Sequence, residues 1–261
     1  MNIGIFDSGI GGMTVLHEAM KTMPDENYIF YADTDHVPYG TKTKAEVISY
    51  VDEVMQFMLE QNCKAVVIAC NTATAAAARL MREKYSIPII GIEPAVKPAV
   101  EQSKGKRIMV IATPLTIQED KLKNLVARVD DTHLVDLLAF PRLVEFAERG
   151  EFESQELENY IRETLAPYDL SVYSEFVLGC THFNYFKDSF AKLLPEDVHI
   201  LDGSGGTVNQ LKRVLDEKHL LEENQGTVRY FYSGRELLKQ EELQRMQELH
   251  NRLERMREIR K

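Results

Sequence analysis

Short apolar runs alternate along the chain with stretches whose apolar side chains recur every three or four residues. Such alternation marks strands and amphipathic helices taking turns. Asn2 to Phe6 reads as a strand, stopped by Asp7-Ser8-Gly9-Ile10-Gly11-Gly12 and followed by Met13, Leu16 and Met20 at helical spacing. The order returns as a strand Tyr28 to Tyr31 and a helix to about Gln61. A strand Ala65 to Ala69, a helix Ala73 to Tyr85 and a strand Ile87 to Gly91 follow. After Glu93-Pro94-Ala95 and Lys97-Pro98 a second series begins, with strands Arg107 to Ala112, Thr132 to Leu138, Glu175 to Leu178 and Val198 to Leu201. Its helices are Thr116 to Val129, helical material to Ala166, and Phe183 to Leu194. Strand and helix in strict alternation build parallel sheets covered on both faces, so the expected fold class is α/β with two similar units. A last helix, Glu236 to Lys261, is dense in charge. Its apolar seam of Met246, Leu249, Leu253 and Met256 is only about two heptads long, too short for a coiled coil.

The series also repeat in detail. Residues 66–74 and 176–183 each run an apolar strand into a cysteine followed by hydroxyl or amide side chains, giving Cys70-Asn71-Thr72 and Cys180-Thr181-His182. Ligands of open parallel sheets bind outside the strands' carboxyl ends, so two facing units would present both thiols to one cleft.

At 261 residues the chain can hold one large α/β unit or two ordinary domains, and 44% apolar with 28% charged residues describes a folded protein. With no run of 18 apolar residues and no basic, cleavable leader, neither a membrane span nor a secretion signal is read, and a cytoplasmic location is expected. The balance of 31 basic against 41 acidic side chains, a net −10, speaks against nucleic acid or an anionic membrane as a direct partner. The three cysteines contain no CxxC pair, which excludes a zinc ribbon and leaves them as thiols.

Each candidate has an ordinary reading beside the functional one. Cys70 alone would pass for a buried structural thiol. At the start of a helix, however, backbone N–H groups and the helix dipole favour an anion and lower a thiol's pKa. Cys180 has the same setting with an imidazole two residues on, whereas Cys63, in the connection before a strand, reads as structural. Asp7 is either a turn former or a carboxylate opening on the cleft. Gly9 to Gly12 lacks GxGxxG spacing and no P-loop lysine follows, so no nucleotide site is read. Tyr39, in Pro38-Tyr39-Gly40, reads as packing from composition, and Glu145 as an exposed helical acid.

Taken together, the segments Asp7 to Gly12, Pro38-Tyr39-Gly40, Ala69 to Thr74 and Leu178 to His182 resemble the glutamate racemases, of the cofactor-independent aspartate/glutamate racemase family. The likeness includes Ile92 to Ala99 and Ala112-Thr113-Pro114-Leu115-Thr116, and runs to Phe231-Tyr232-Ser233-Gly234. It implies two similar α/β domains with the active site in the cleft between them. The first is discontinuous, residues 1–93 plus 205–261, and the second is 94–204. It also implies Cys70 and Cys180 as the acid/base thiols, Asp7 and His182 as their helpers, and Glu145 as the family's motif glutamate. Implied contacts to glutamate are Asp7, Ser8, Tyr39, Gly40, Asn71, Thr72, Thr113, Thr116, Thr181 and His182. No cofactor and no metal are implied, and a homodimer is, with the terminal helix as a candidate contact. Two departures stand out: Phe140-Pro141 where relatives commonly have Cys-Pro, and Phe183-Asn184 where they have Tyr-Pro.

Racemisation needs a base on one face of the α-carbon and an acid on the other, a demand that two thiols on opposite walls meet. The alternatives are another two-cysteine amino-acid racemase, such as one acting on aspartate, and a non-catalytic binding or regulatory protein.

Overall fold

The computed structural model describes residues 1–223 and 225–259 and contains two sheets. Four strands of the first come from the start of the chain: β1 (Asn2–Asp7), β2 (Tyr28–Ala32), β3 (Cys63–Ile68) and β4 (Ile89–Gly91). The second holds β5 (Arg107–Ala112), β6 (Val135–Ala139), β7 (Tyr173–Leu178) and β8 (His199–Asp202). The chain then returns to the first sheet with β9 (Val228–Tyr232) and β10 (Arg235–Glu236). Spatial orders are β10-β9-β2-β1-β3-β4 and β6-β5-β7-β8. All neighbours run parallel except β10 against β9.

The order β2-β1-β3-β4 in the first sheet is the order β6-β5-β7-β8 in the second. In each, the chain leaves its first strand toward one side and comes back on the other, and that reversal is where open α/β sheets take ligands. The reversal lies between β1 and β3 in one half, and between β5 and β7 in the other. Asp7 ends β1, Cys70 follows β3, Thr113 follows β5 and Cys180 follows β7, so topology alone puts the candidate residues at two equivalent points.

Central strands are buried almost throughout, as β1 past Asn2, β3 and β7 show, because helices cover both faces. One apolar core runs from Ile3, Ile5 and Leu16 through Tyr185 and Phe186 to Leu249 and Leu253 on the last helix. This continuity ties the two halves together. None of the described helices is long and apolar enough to cross a membrane.

Several expected elements come out shorter or divided. The expected strand Ile87 to Gly91 pairs only from Ile89, after Pro88, which has no N–H to give. The expected Thr116 to Val129 helix becomes Pro114–Gln118 and Asp120–Val129, interrupted by the extended backbone of Glu119. Strand β6 starts at Val135 rather than Thr132, because the Asp130 carboxylate takes the N–H groups of Leu134 and Val135. Phe183 to Leu194 divides into a tight 3-10 turn over Thr181–Phe186 and a short helix Lys187–Ala191. Glu236 belongs to β10, so the last helix is Gln240–Glu258; Arg260 and Lys261 of the expected Glu236 to Lys261 helix lie outside the described residues.

Candidate active site

The helix Asn71–Lys84 opens with Cys70 as its cap, the thiol accepting the Ala73 N–H at 3.4 Å. Four consecutive small residues, Ala75 to Ala78, favour the helix and let it lie close on the sheet. Its start therefore has little freedom to move. Cys70 Sγ stands 3.6 Å from Ser8 Oγ, and that hydroxyl donates to Asp7 Oδ1 at 3.3 Å. Burial, reinforced by the nearby Asp7 carboxyl, pushes the Cys70 thiol up to about 12. At neutral pH it therefore holds its proton. Asp7 is wholly buried and accepts from the Gly9 N–H at 3.0 Å and the Thr181 hydroxyl at 2.9 Å. Burial raises its carboxyl above the ordinary range, against the opposing pull of His182.

The other wall is built differently. Cys180 Sγ is 3.8 Å from His182 Nδ1, and His182 Nε2 is 2.6 Å from Glu148 Oε1. Burial works to lower the imidazole's pKa, but hydrogen bonds to Cys180 and Glu148 and the Glu148 charge outweigh it and hold His182 well above its usual value. The imidazole therefore stands beside the Cys180 sulfur as a cation. Glu148 Oε1 also accepts the Ile10 N–H at 2.8 Å, joining this wall to the glycine-rich loop. A Cβ on Gly11 would stand 2.4 Å from His182 Nδ1 and 2.5 Å from Thr181 Oγ1, so the loop must be bare there for the imidazole to fit.

Between the walls, Thr72, Thr113 and Thr116 form a triangle of hydroxyls with sides of 2.9 to 3.0 Å. The three hydroxyls bond one another, Thr113 Oγ1 also accepting the Thr116 N–H at 3.3 Å, and each can turn its proton toward an acceptor. Buried beside them, Asn71 Oδ1 has no hydrogen-bond partner among the described residues. Tyr39 is buried and donates its hydroxyl to Asp33 Oδ2 at 2.6 Å; Asp33 is also held by His36 and Ser233. Gly40 backs onto Thr113, where a Cβ would stand 2.9 Å from Thr113 Cβ.

Of the residues expected at the site, Asp7, Ser8, Tyr39, Cys70, Asn71, Thr72, Thr113, Thr116, Cys180, Thr181 and His182 are all buried in this region. Glu145 is not among them. It points to solvent from the helix Leu143–Glu148, and the carboxylate that reaches His182 belongs to Glu148, one turn later. The phase of that helix explains the correction: Leu143, Val144, Phe146 and Ala147 are buried, which turns position 145 outward and 148 back toward the core flank. The two departures also meet, Phe140 and Phe183 being fully buried with ring centroids 6.3 Å apart, edge to face. A cavity of about 810 Å³ lined by Arg82, Tyr85, Glu93, Gln210 and Lys218 contains neither thiol, so volume is a poor guide to the chemistry here.

The model of the Asp/Glu/Hydantoin racemase family matches residues 8–211. A glutamate racemase of Lachnospira eligens is 53% identical over 99% of this chain and all of its own length. The chain belongs to the glutamate racemases of the Asp/Glu/Hydantoin racemase family. Among solved structures, a glutamate racemase isoform of Bacillus anthracis is 32% identical with a TM-score of 0.78, covering 88% of this chain and 86% of that one. The Francisella tularensis glutamate racemase in complex with D-glutamate has a TM-score of 0.81 at 28% identity, covering 96% and 93%.

Proposed function

We infer that this protein is a glutamate racemase, a cofactor-independent isomerase that interconverts L- and D-glutamate and supplies the D-isomer for peptidoglycan. The observation that carries the reading is a pair of buried thiols at equivalent strand ends of two like sheets, each with its own proton partner. In one direction the sulfur of Cys180 takes the α-proton while the Cys70 thiol gives one to the opposite face. In the other direction the roles exchange. One proton leaves the carbon and one arrives, so only the thiols change state. By family resemblance Cys180 works on L-glutamate and Cys70 on D-glutamate. Ser8 links Cys70 to Asp7, and His182, held by Glu148, serves Cys180.

An α-hydrogen beside a carboxylate is weakly acidic, so preformed donors must stabilise the charge that develops. N–H groups at the start of Asn71–Lys84, with the hydroxyls of Thr72, Thr113 and Thr116, supply donors in a buried site. The free Asn71 Oδ1 suits the substrate ammonium. Asp7, Ser8, Tyr39, Gly40, Thr181 and His182 complete the contact set. We propose the domain division 1–93 plus 205–261 and 94–204, of which Asn224, Arg260 and Lys261 lie outside the described residues. It is supported by β9 and β10 joining the first sheet, and by Gly203 lying so close to Glu93 that a Cβ would stand 2.1 Å from the Glu93 carbonyl oxygen. The reading carries a cytoplasmic homodimer with it, which sedimentation of the purified protein checks.

Circular dichroism of L-glutamate incubated with dialysed protein tests the function. Decay of the signal to zero without added pyridoxal phosphate, nucleotide or metal is expected, with aspartate at least about 100-fold poorer in kcat/KM because its shorter chain misplaces the α-carbon by about 1 Å. A constant signal, activity dependent on an added cofactor, or comparable rates on the two acids would overturn it.

A further inference from the structure

The last helix, Gln240–Glu258, packs on the first sheet's side through His250, which reaches Tyr230 at 3.2 Å and His17 at 3.1 Å. From the same helix Arg252 crosses to the other half. The residue is 3% exposed, yet no single acid partners it. Nε donates to the Tyr185 carbonyl at 2.9 Å, one terminal nitrogen to Glu153 at 3.1 Å and the other to Asp188 at 3.0 Å, while the guanidinium lies over the Phe152 ring at 4.7 Å. Only a planar fork reaches three directions at once.

These contacts join a closed set of hydrogen bonds that reaches one thiol through His182. Tyr185, whose carbonyl Arg252 holds, donates its hydroxyl to the Ile10 carbonyl at 3.0 Å. Ile10 gives its N–H to Glu148, and Glu148 takes His182, which sits three residues before Tyr185 in the same 3-10 turn. The turn is thus held at its start by Asp7 and Thr14 on Thr181, along its length by the loop after β1, and near its end by Arg252. Among the described residues the hydrogen bonds of Arg252 go to Tyr185, Glu153 and Asp188, and none goes to Cys70, Ser8 or Asp7. A buried charge is weak support for stability in itself, and in some proteins its use is to fix one arrangement among several.

We propose that Arg252 is a positioning residue for the racemisation, holding the 181–186 turn so that His182 meets Cys180, and thereby acting more strongly on the Cys180 face of the substrate than on the Cys70 face, which the turn reaches only through the Thr181 hydroxyl on Asp7. The inference rests on the racemase reading above.

The test uses half-reactions of the full-length enzyme. With 3-chloroglutamate, removal of the α-proton expels chloride and forms the Cα–Cβ double bond, and the resulting enamine hydrolyses to 2-oxoglutarate and ammonia. Only the first thiol acts, so each enantiomer reports one wall. The ratio of the two elimination rates does not depend on how much of a variant folds. Arg252→Met keeps the packing on Phe152 and removes the fork, and Arg252→Lys keeps the charge alone. Arg252→Met should shift the ratio by about tenfold or more against the Cys180-dependent enantiomer, since displacements near 1 Å can cost about 100-fold, with Arg252→Lys between it and wild type. Equal loss with both enantiomers, or a ratio within twofold of wild type, overturns the proposal. A wild-type enzyme that eliminates from neither enantiomer and leaves glutamate unracemised overturns the functional reading and this inference with it.

Discussion

The two walls of the site start from the same architecture, a thiol two residues past a central strand of a β2-β1-β3-β4 or β6-β5-β7-β8 sheet, and end with different proton chemistry. On the Cys70 side the neighbours are a hydroxyl and a buried carboxyl, and the thiol is pushed up to about 12 mainly by burial. On the Cys180 side an imidazole held well above its usual pKa stands 3.8 Å from the sulfur, its own charge supported by Glu148. The difference teaches that equivalent positions in a repeated fold need not carry equivalent proton partners. One wall is preset to hold a proton and the other to lean on a cation, an arrangement suited to a reaction that takes a proton on one face and gives one on the other.

The sharpest break of this comparison is to remove each thiol. Cys70→Ser and Cys180→Ser should each lower racemisation by about 10² to 10⁴-fold, the range for losing a positioned acid or base. Their losses in 3-chloroglutamate elimination should be mirror images. A single variant that racemises near the wild-type rate would remove the two-thiol assignment.

A smaller effect separates the two acids of one helix. Glu148→Gln should lower kcat by about tenfold or more, whereas Glu145→Gln should stay within about twofold. The pH profile carries the sign. His182 is raised in the folded protein, so its favourable contribution is present below its unfolded value near 6.5 and is lost as pH rises through the raised value. Without the Glu148 charge the imidazole titrates lower, and the high-pH limb of kcat/KM should move to lower pH. An unmoved limb would detach Glu148 from His182.

Gly11→Ala and Gly40→Ala compare the walls by volume. The first drives a methyl into His182 and Thr181, and the second only against Thr113. Kinetic assay of both should find the larger fall in kcat for Gly11→Ala and chiefly a rise in KM for Gly40→Ala; the reverse pattern would exchange the roles given to the two loops.

The smallest effect concerns the helix that supports the Cys180 side. His250 is lowered to about 4, chiefly by burial and then by His17. A folded pKa below the unfolded one means stability present above about pH 6.5 and lost as pH falls toward 4, by roughly 2 to 3 kcal/mol. Urea denaturation of His250→Gln at pH 7 and pH 4.5 should give a smaller difference between the two than wild type; an equal difference would place the acid sensitivity elsewhere.

The positions of Asp7, Cys70, Thr113 and Cys180 were legible because each ends or follows an apolar strand, and strand-end position in a parallel sheet is a local property of the chain. Glu148 was legible only in part. Its helical phase against Leu143, Val144, Phe146 and Ala147 was a usable signal, but a six-residue helix offers too few turns for the period to speak clearly. Arg252 and Asp33 gave no signal, since a charged residue on a charged helix and an acid in a turn look like solvated surface until their partners are known.

What the sequence determined by itself was therefore the alternation, the fold class, and the chemical types standing at the strand ends, all of which follow from periodicities of two and 3.6 residues within short windows. What only the tertiary structure decided was pairing across distance: Ser8 with Cys70, Glu148 with His182 and Ile10, and Arg252 with the turn that carries His182. These contacts span 34 to 138 residues of chain, and proton affinities depend on burial and on such neighbours. The chain's local pattern holds neither quantity, so the two like thiols acquired their different roles when the two sheets closed on each other.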